Sequence, residues 1–123
     1  MTVAYLRHDC TTLHDMGPWH PECPERVRVI HDRLLSSGLL DWLLPVEAPL
    51  ATREQLLRAH TERHVDALAA LAPATGCVQV DPDTMMNRWT QEAALRAAGA
   101  VVKATEMVVA GEASSAFCNV RPP

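Results

Sequence analysis

The run Val3-Ala4-Tyr5-Leu6, the loop that follows it, and the run Pro24-Glu25-Arg26-Val27-Arg28-Val29-Ile30-His31-Asp32-Arg33-Leu34-Leu35-Ser36-Ser37-Gly38 together decide the fold. Four consecutive apolar residues followed by the charged Arg7 suit a short buried strand. Pro24 fits the first turn of a helix, and Glu25 meets the positive end of its dipole. Val27, Ile30, Leu34 and Leu35 fall at i, i+3, i+7 and i+8, one apolar face, and Gly38 is a ready stop. Strand, loop and amphipathic helix in that order open a parallel α/β unit.

The rest of the chain extends this order. Leu39 to Glu47 is apolar and broken by Pro45, which predicts a turn of helix and then a short strand around Pro45 to Ala48. Thr52-Arg53-Glu54-Gln55 is a capping box for a short helix through about Ala59. Thr61 can cap a second, with Val65, Leu68 and Leu71 on one face. Val78-Gln79-Val80 is too short to assign, and Asp81-Pro82-Asp83-Thr84 is a turn. A long helix runs from about Trp89 to Ala110. Its small centre, Ala97-Ala98-Gly99-Ala100, predicts close packing against a sheet. Ala116 to Val120 reads as a buried strand, followed by Arg121-Pro122-Pro123. That ending suits either a strand closing a domain or a cut through a longer α/β protein.

Composition narrows the function classes. The chain has 123 residues, enough for one domain, and 48% hydrophobic with 21% charged residues describes a globular chain. With aromatics at 4%, Ala, Leu and Val must fill the core, and ordinary packing accounts for Trp19, Trp42 and Trp89. A net charge of −4 speaks against direct nucleic-acid binding. No apolar run approaches the roughly 20 residues of a membrane span. Charge arrives at Arg7 with no apolar segment after it, so the expectation is a cytoplasmic chain without a signal peptide. Cys10, Cys23, Cys77 and Cys118 are then thiols or metal ligands rather than disulfides.

Residues 7 to 24 hold most of the chemistry. His8, Cys10, His14, His20 and Cys23 are zinc-capable types, but their spacing matches no common finger, and local packing of the same side chains is the alternative. His60 and His64 stand four apart, yet Thr61 as a cap places His60 before the helix, which favours a structural role. Asp81 and Asp83 either cap their turn or serve a site. Arg26 lies in a first helical turn, where the dipole disfavours a cation, which hints at a specific partner.

Several motifs in register resemble the histone deacetylase superfamily, nearest to its bacterial and class II members and to acetylpolyamine amidohydrolases. They are His8-Asp9-Cys10, Gly17, His20-Pro21-Glu22-Cys23-Pro24-Glu25-Arg26, His60 to Leu68, Asp81-Pro82-Asp83-Thr84, Ala93-Ala94-Leu95, Ala98-Gly99-Ala100, and Ala116 to Pro123. The resemblance implies a three-layer arginase-like α/β fold with a mostly parallel central sheet. It implies a zinc-dependent amidohydrolase that removes acyl groups from lysine or polyamine nitrogen. It also implies that residues 1–123 form the N-terminal third of such a domain, ending just before a Gly-His-His motif. The zinc ligands would lie beyond Pro123, so this segment would hold no metal ligand or catalytic base and be inactive alone.

By the same resemblance, Asp83 is a rim carboxylate that grips substrate amides, and Arg26 is a buried guanidinium in an internal channel behind the metal. His20, Pro21 and Glu22 belong to the loop at the pocket mouth. Cys10, His20 and Cys77 with His8 or Cys23 stand where some class II relatives hold a structural zinc. A non-catalytic chain that binds a partner or metal through residues 8–23 is the competing reading. An exposed edge at Ala116 to Val120 leaves homo-oligomerisation open.

Overall fold

The computed structural model describes residues 1–123. Strands β1 (Val3–Arg7), β2 (Leu43–Glu47) and β5 (Ser115–Cys118) form a parallel sheet in the order β2-β1-β5. Val3 pairs with Leu43 on one side and with Ser115 on the other. Parallel strands need long crossovers, and α1 (Glu25–Ser36) and α4 (Thr90–Val109) provide them. The path steps from β1 to β2 and then back past β1 to β5. Right-handed crossovers in opposite directions put their helices on opposite faces.

The side chains show both faces covered. Ala4 and Leu6 point to α4 and join Ala48, Ala100, Ala104, Met107 and Ala113 in one buried cluster. Tyr5, between them in sequence, points the other way, where its ring stacks on His31 of α1 and on Phe117. The result is the expected α/β sandwich of three layers.

Outside the sheet lie α2 (Arg53–Leu57), α3 (Glu62–Leu71) and an antiparallel hairpin of β3 (Cys77–Asp81) and β4 (Thr84–Asn87). Neither α2 nor α3 buries a residue. Their starts are held by caps instead. Thr52 and Gln55 make the reciprocal capping box, and Thr61 accepts from the His64 N–H.

Some sequence expectations are corrected. The loop after β1 is partly regular, with a 3₁₀ turn at Asp9–Thr12 whose entry is capped by the His8 ring. The second strand starts at Leu43, ahead of Pro45; it is an edge strand, where a residue without an N–H is tolerated. Val78 to Val80 belongs to a hairpin whose partner strand, Thr84–Asn87, has Thr84 as its single β-branched residue and so is poorly marked in the sequence. The last strand is not buried: its residues alternate between exposed and half-buried because β5 has a neighbour only on the β1 side. Trp19 and Trp42 are almost fully exposed, since no element lies over the loop or the β2 entrance that carry them.

The small centre of α4 works as the sequence suggested. Ala51 N–H donates to Leu95 O at 2.9 Å, drawing the segment after β2 onto the helix. A β-carbon on Gly99 would sit 2.0 Å from Pro49 O and 2.8 Å from Ala51 N. Both obstacles are backbone, so Gly99→Ala should shift the segment and destabilise the chain by about 1–3 kcal/mol despite the better helix propensity of alanine. Denaturant unfolding checks this, with Ala98→Gly as the propensity control.

Candidate active-site rim and its buried clamp

Open parallel sheets build their sites beyond the carboxyl ends of the strands. Here the loop after β1 and the segment after β5 meet at that end, and Arg121 joins them. Its side chain is fully buried. Nε and Nη2 donate to the two carboxylate oxygens of Glu22 at 2.9 and 2.7 Å. Nη1 donates to the carbonyls of Thr11, at 3.0 Å, and His14. The planar fork of arginine suits this bidentate grip.

Burial alone would raise the Glu22 carboxyl, but its bonds to Arg121 and the nearby Arg26 outweigh that and hold it below the usual range. His14, also buried, shares a 2.7 Å hydrogen bond with Thr90 through Nδ1. Its Nε2 has no hydrogen-bond partner and lies 3.9 Å from Glu22 Oε2. Burial first, then the Arg121 charge, push the ring's pKa down, so His14 is neutral at physiological pH.

The hairpin tip approaches the same loop. Asp83 stands at the β3–β4 turn, where its N–H donates to Asp81 Oδ1 at 2.8 Å. Its side chain is 91% exposed. His20 Nε2 lies 3.0 Å from both Asp83 Oδ1 and the Asp83 carbonyl. That bond to the carboxylate raises the His20 pKa against a smaller opposing effect of burial. His20 Nδ1 accepts from the Glu22 N–H, which fixes the ring. Two residues assigned to one rim from the sequence thus touch across 63 positions of chain.

Other assignments fall differently. Glu22 is turned inward as the partner of Arg121, while its neighbour His20 faces the hairpin. The Arg26 side chain is 40% exposed within residues 1–123. Nη2 donates to Val120 O at 2.8 Å, and Nε lies 3.4 Å from Glu22, whose carboxylate offsets the unfavourable helix position. The His60 and His64 rings lie 5.1 Å apart, tilted by 32°, on the exposed surface, with His60 outside α3.

The residues gathered closely enough for a metal are His8, Cys10 and Glu92. That group excludes His20, Cys23 and Cys77, so the zinc set suggested by resemblance does not assemble. Sequence reasoning missed Arg121 and Glu92, and gave His14 as a zinc-capable or locally packed residue rather than as a buried anchor to Thr90. An arginine directly after an apolar strand was the available signal for the first. Glu92 and the role of His14 become visible only once α4 lies against the loop.

Two outcomes follow. Arg121→Ala should cost about 3–5 kcal/mol, because it strands the Glu22 carboxylate and two carbonyls in the interior; chemical unfolding measures it. The His20–Asp83 contact has a raised folded pKa, so its contribution is complete below about 6.5 and is lost as pH rises through that folded value. Imidazole titration by NMR should show His20 above the ordinary range, and Asp83→Ala should return it there.

The similarities agree with this geometry. Residues 20–123 match the family profile "Histone deacetylase domain". Histone deacetylase 5 of Arabidopsis thaliana is 33% identical over 98% of this chain, which covers 20% of that protein. A probable deacetylase of Archaeoglobus fulgidus is 30% identical over 100% of the chain and 34% of its own length. A histone deacetylase-like amidohydrolase of Pseudomonas aeruginosa is 36% identical over 85% of the chain and 27% of its own length. The crystal structure of the HDA15 HD domain superposes with a TM-score of 0.92 at 29% identity, covering 100% of this chain and 36% of that one. The chain thus spans between a fifth and about a third of the length of these relatives, and it belongs to the histone deacetylase family.

Proposed function

We propose that residues 1–123 are the N-terminal part of the catalytic domain of a zinc-dependent amidohydrolase that removes acyl groups from lysine or polyamine nitrogen. The observation that carries this reading is the His20–Asp83 contact, which puts an exposed carboxylate at the edge of the sheet's carboxyl end. One Asp83 oxygen faces His20. The other is free to accept amide N–H groups of a substrate, a charged and directional grip.

Zinc would supply a water of lowered pKa and a polarised amide carbonyl. The residues of this chain do not fit that ion. The one gathered cluster is His8, Cys10 and Glu92, and burial keeps its thiol protonated. No step is therefore assigned to zinc here. What this chain contributes is a rim that orients substrate and a clamp that holds the rim. Arg26 is assigned, in the same reading, to a channel wall that is completed by chain outside these residues. The unpaired edge of β5 is assigned to a neighbouring strand or a second copy.

The chain alone should show no zinc-dependent turnover of an acetyl-lysine reporter. The positive test is a chimera in which residues 1–123 replace the matching segment of the Pseudomonas aeruginosa relative. Turnover is expected to persist, and Asp83→Ala in the chimera to reduce it roughly ten- to a hundredfold on peptides without loss of folding. A folded, zinc-loaded chimera without activity, or one indifferent to Asp83→Ala, would count against the reading.

A further inference from the structure

We propose that Asn87 and Thr90, at the root of the β3–β4 hairpin, are positioning residues that hold the Asp83 carboxylate at the rim; the proposal rests on the amidohydrolase reading and deepens it. The hairpin needs such an anchor. It forms a two-stranded sheet of its own, separate from β2-β1-β5. Met86 is the one side chain that its strands bury. Two strands with so little core are marginal without outside support.

The tip is a poor source of that support. The His20–Asp83 contact uses a carboxylate that is 91% exposed, and an exposed ion pair is a weak tie. The root is built differently. Asn87 pairs with Cys77 at the open end of the hairpin. Its Nδ2 donates to Leu13 O at 2.8 Å, and its N–H donates to Thr90 Oγ1 at 2.9 Å. Its Oδ1 accepts from the Trp89 N–H at 2.9 Å. Thr90 is buried, and its hydroxyl meets Nδ1 of the buried His14 at 2.7 Å. The His14 carbonyl is in turn held by Arg121. A chain of bonds thus runs from the Arg121 clamp through His14, Thr90 and Asn87 into β4. Loop and hairpin are joined at both ends, to Leu13 and His14 at the root and to His20 at the tip.

Leverage makes the root decisive. Asp83 is four residues from Asn87, a reach of roughly 10–13 Å along a strand. A root rotation of about 10° would move the tip by about 2 Å, well beyond the roughly 0.5 Å range that a hydrogen bond tolerates. Both Asp83 oxygens, the one facing His20 and the one offered to substrate, would move together.

The test combines imidazole titration of the 123-residue chain by NMR with turnover by the Pseudomonas aeruginosa chimera. Asn87 is partly exposed, so Asn87→Ala should fold, and it should return His20 to the ordinary range as Asp83→Ala does. Thr90→Val should act likewise, while Thr90→Ser, which keeps the hydroxyl, should leave His20 raised. Gly99→Ala meets Pro49 and Ala51 rather than the hairpin, so it should destabilise the chain with His20 unmoved. In the chimera, Asn87→Ala should lower kcat/KM on an acetyl-lysine peptide roughly tenfold, but less than about twofold in the Asp83→Ala background. A raised His20 in folded Asn87→Ala, or an equal loss of turnover in both backgrounds, would overturn the anchor. An inactive parent chimera would sink the amidohydrolase reading, while the His20 titration, which needs no turnover, still upholds or overturns the anchor.

Discussion

Arg121 is the constraint on which the functional end of the molecule depends. One guanidinium ties the 3₁₀ turn at Thr11, the loop at His14 and the helix entrance at Glu22 to the segment that leaves β5. A buried ion pair is weak as a source of net stability, because desolvating two charges costs about what their attraction returns. Its value is positional. Once the arginine is inside, every carbonyl and carboxylate it serves must stay within reach, since each would otherwise be an unpaired buried acceptor. The loop between β1 and α1 has little regular structure and few buried residues of its own, so this clamp defines its path.

The sheet supplies the frame for that clamp with a thin core. Only 20 of 123 residues are buried, and most of the central cluster is alanine. Small side chains yield little apolar area each, but they let α4 approach the sheet closely, as Gly99 against Pro49 shows. Helices α2 and α3 add no buried side chain and depend on their caps. The short sheet has two unpaired edges, and Trp42 before β2 and Phe117 on β5 are exposed.

At the rim, electrostatics separates the histidines by environment. His20 gains a carboxylate and its pKa rises, while His14 is buried beside a guanidinium and its pKa falls. Six residues apart in one loop, they have opposite charge tendencies near neutral pH. An exposed latch to the hairpin and a neutral buried anchor to Thr90 divide the work of holding the loop.

Local order was legible in the chain. The β1 run, the α1 periodicity, the capping residues Thr52 and Thr61, the turn at Asp81 to Thr84 and the small centre of α4 rest on near-neighbour sterics and hydrogen bonds, which the sequence alone determines. The motifs around His20 and Asp83 were legible for the same reason, as was the family they belong to. Other features depend on distant partners. Arg26 could not be told from Arg121 as the buried arginine, because only the fold shows which one the loop closes over. Glu22 reads as a rim residue until its partner, 99 positions away, turns it inward. The His8, Cys10 and Glu92 group exists only because α4 lies against the β1 turn. Spacing along the chain carries no trace of contacts that helix packing creates, so these were decided by the tertiary structure.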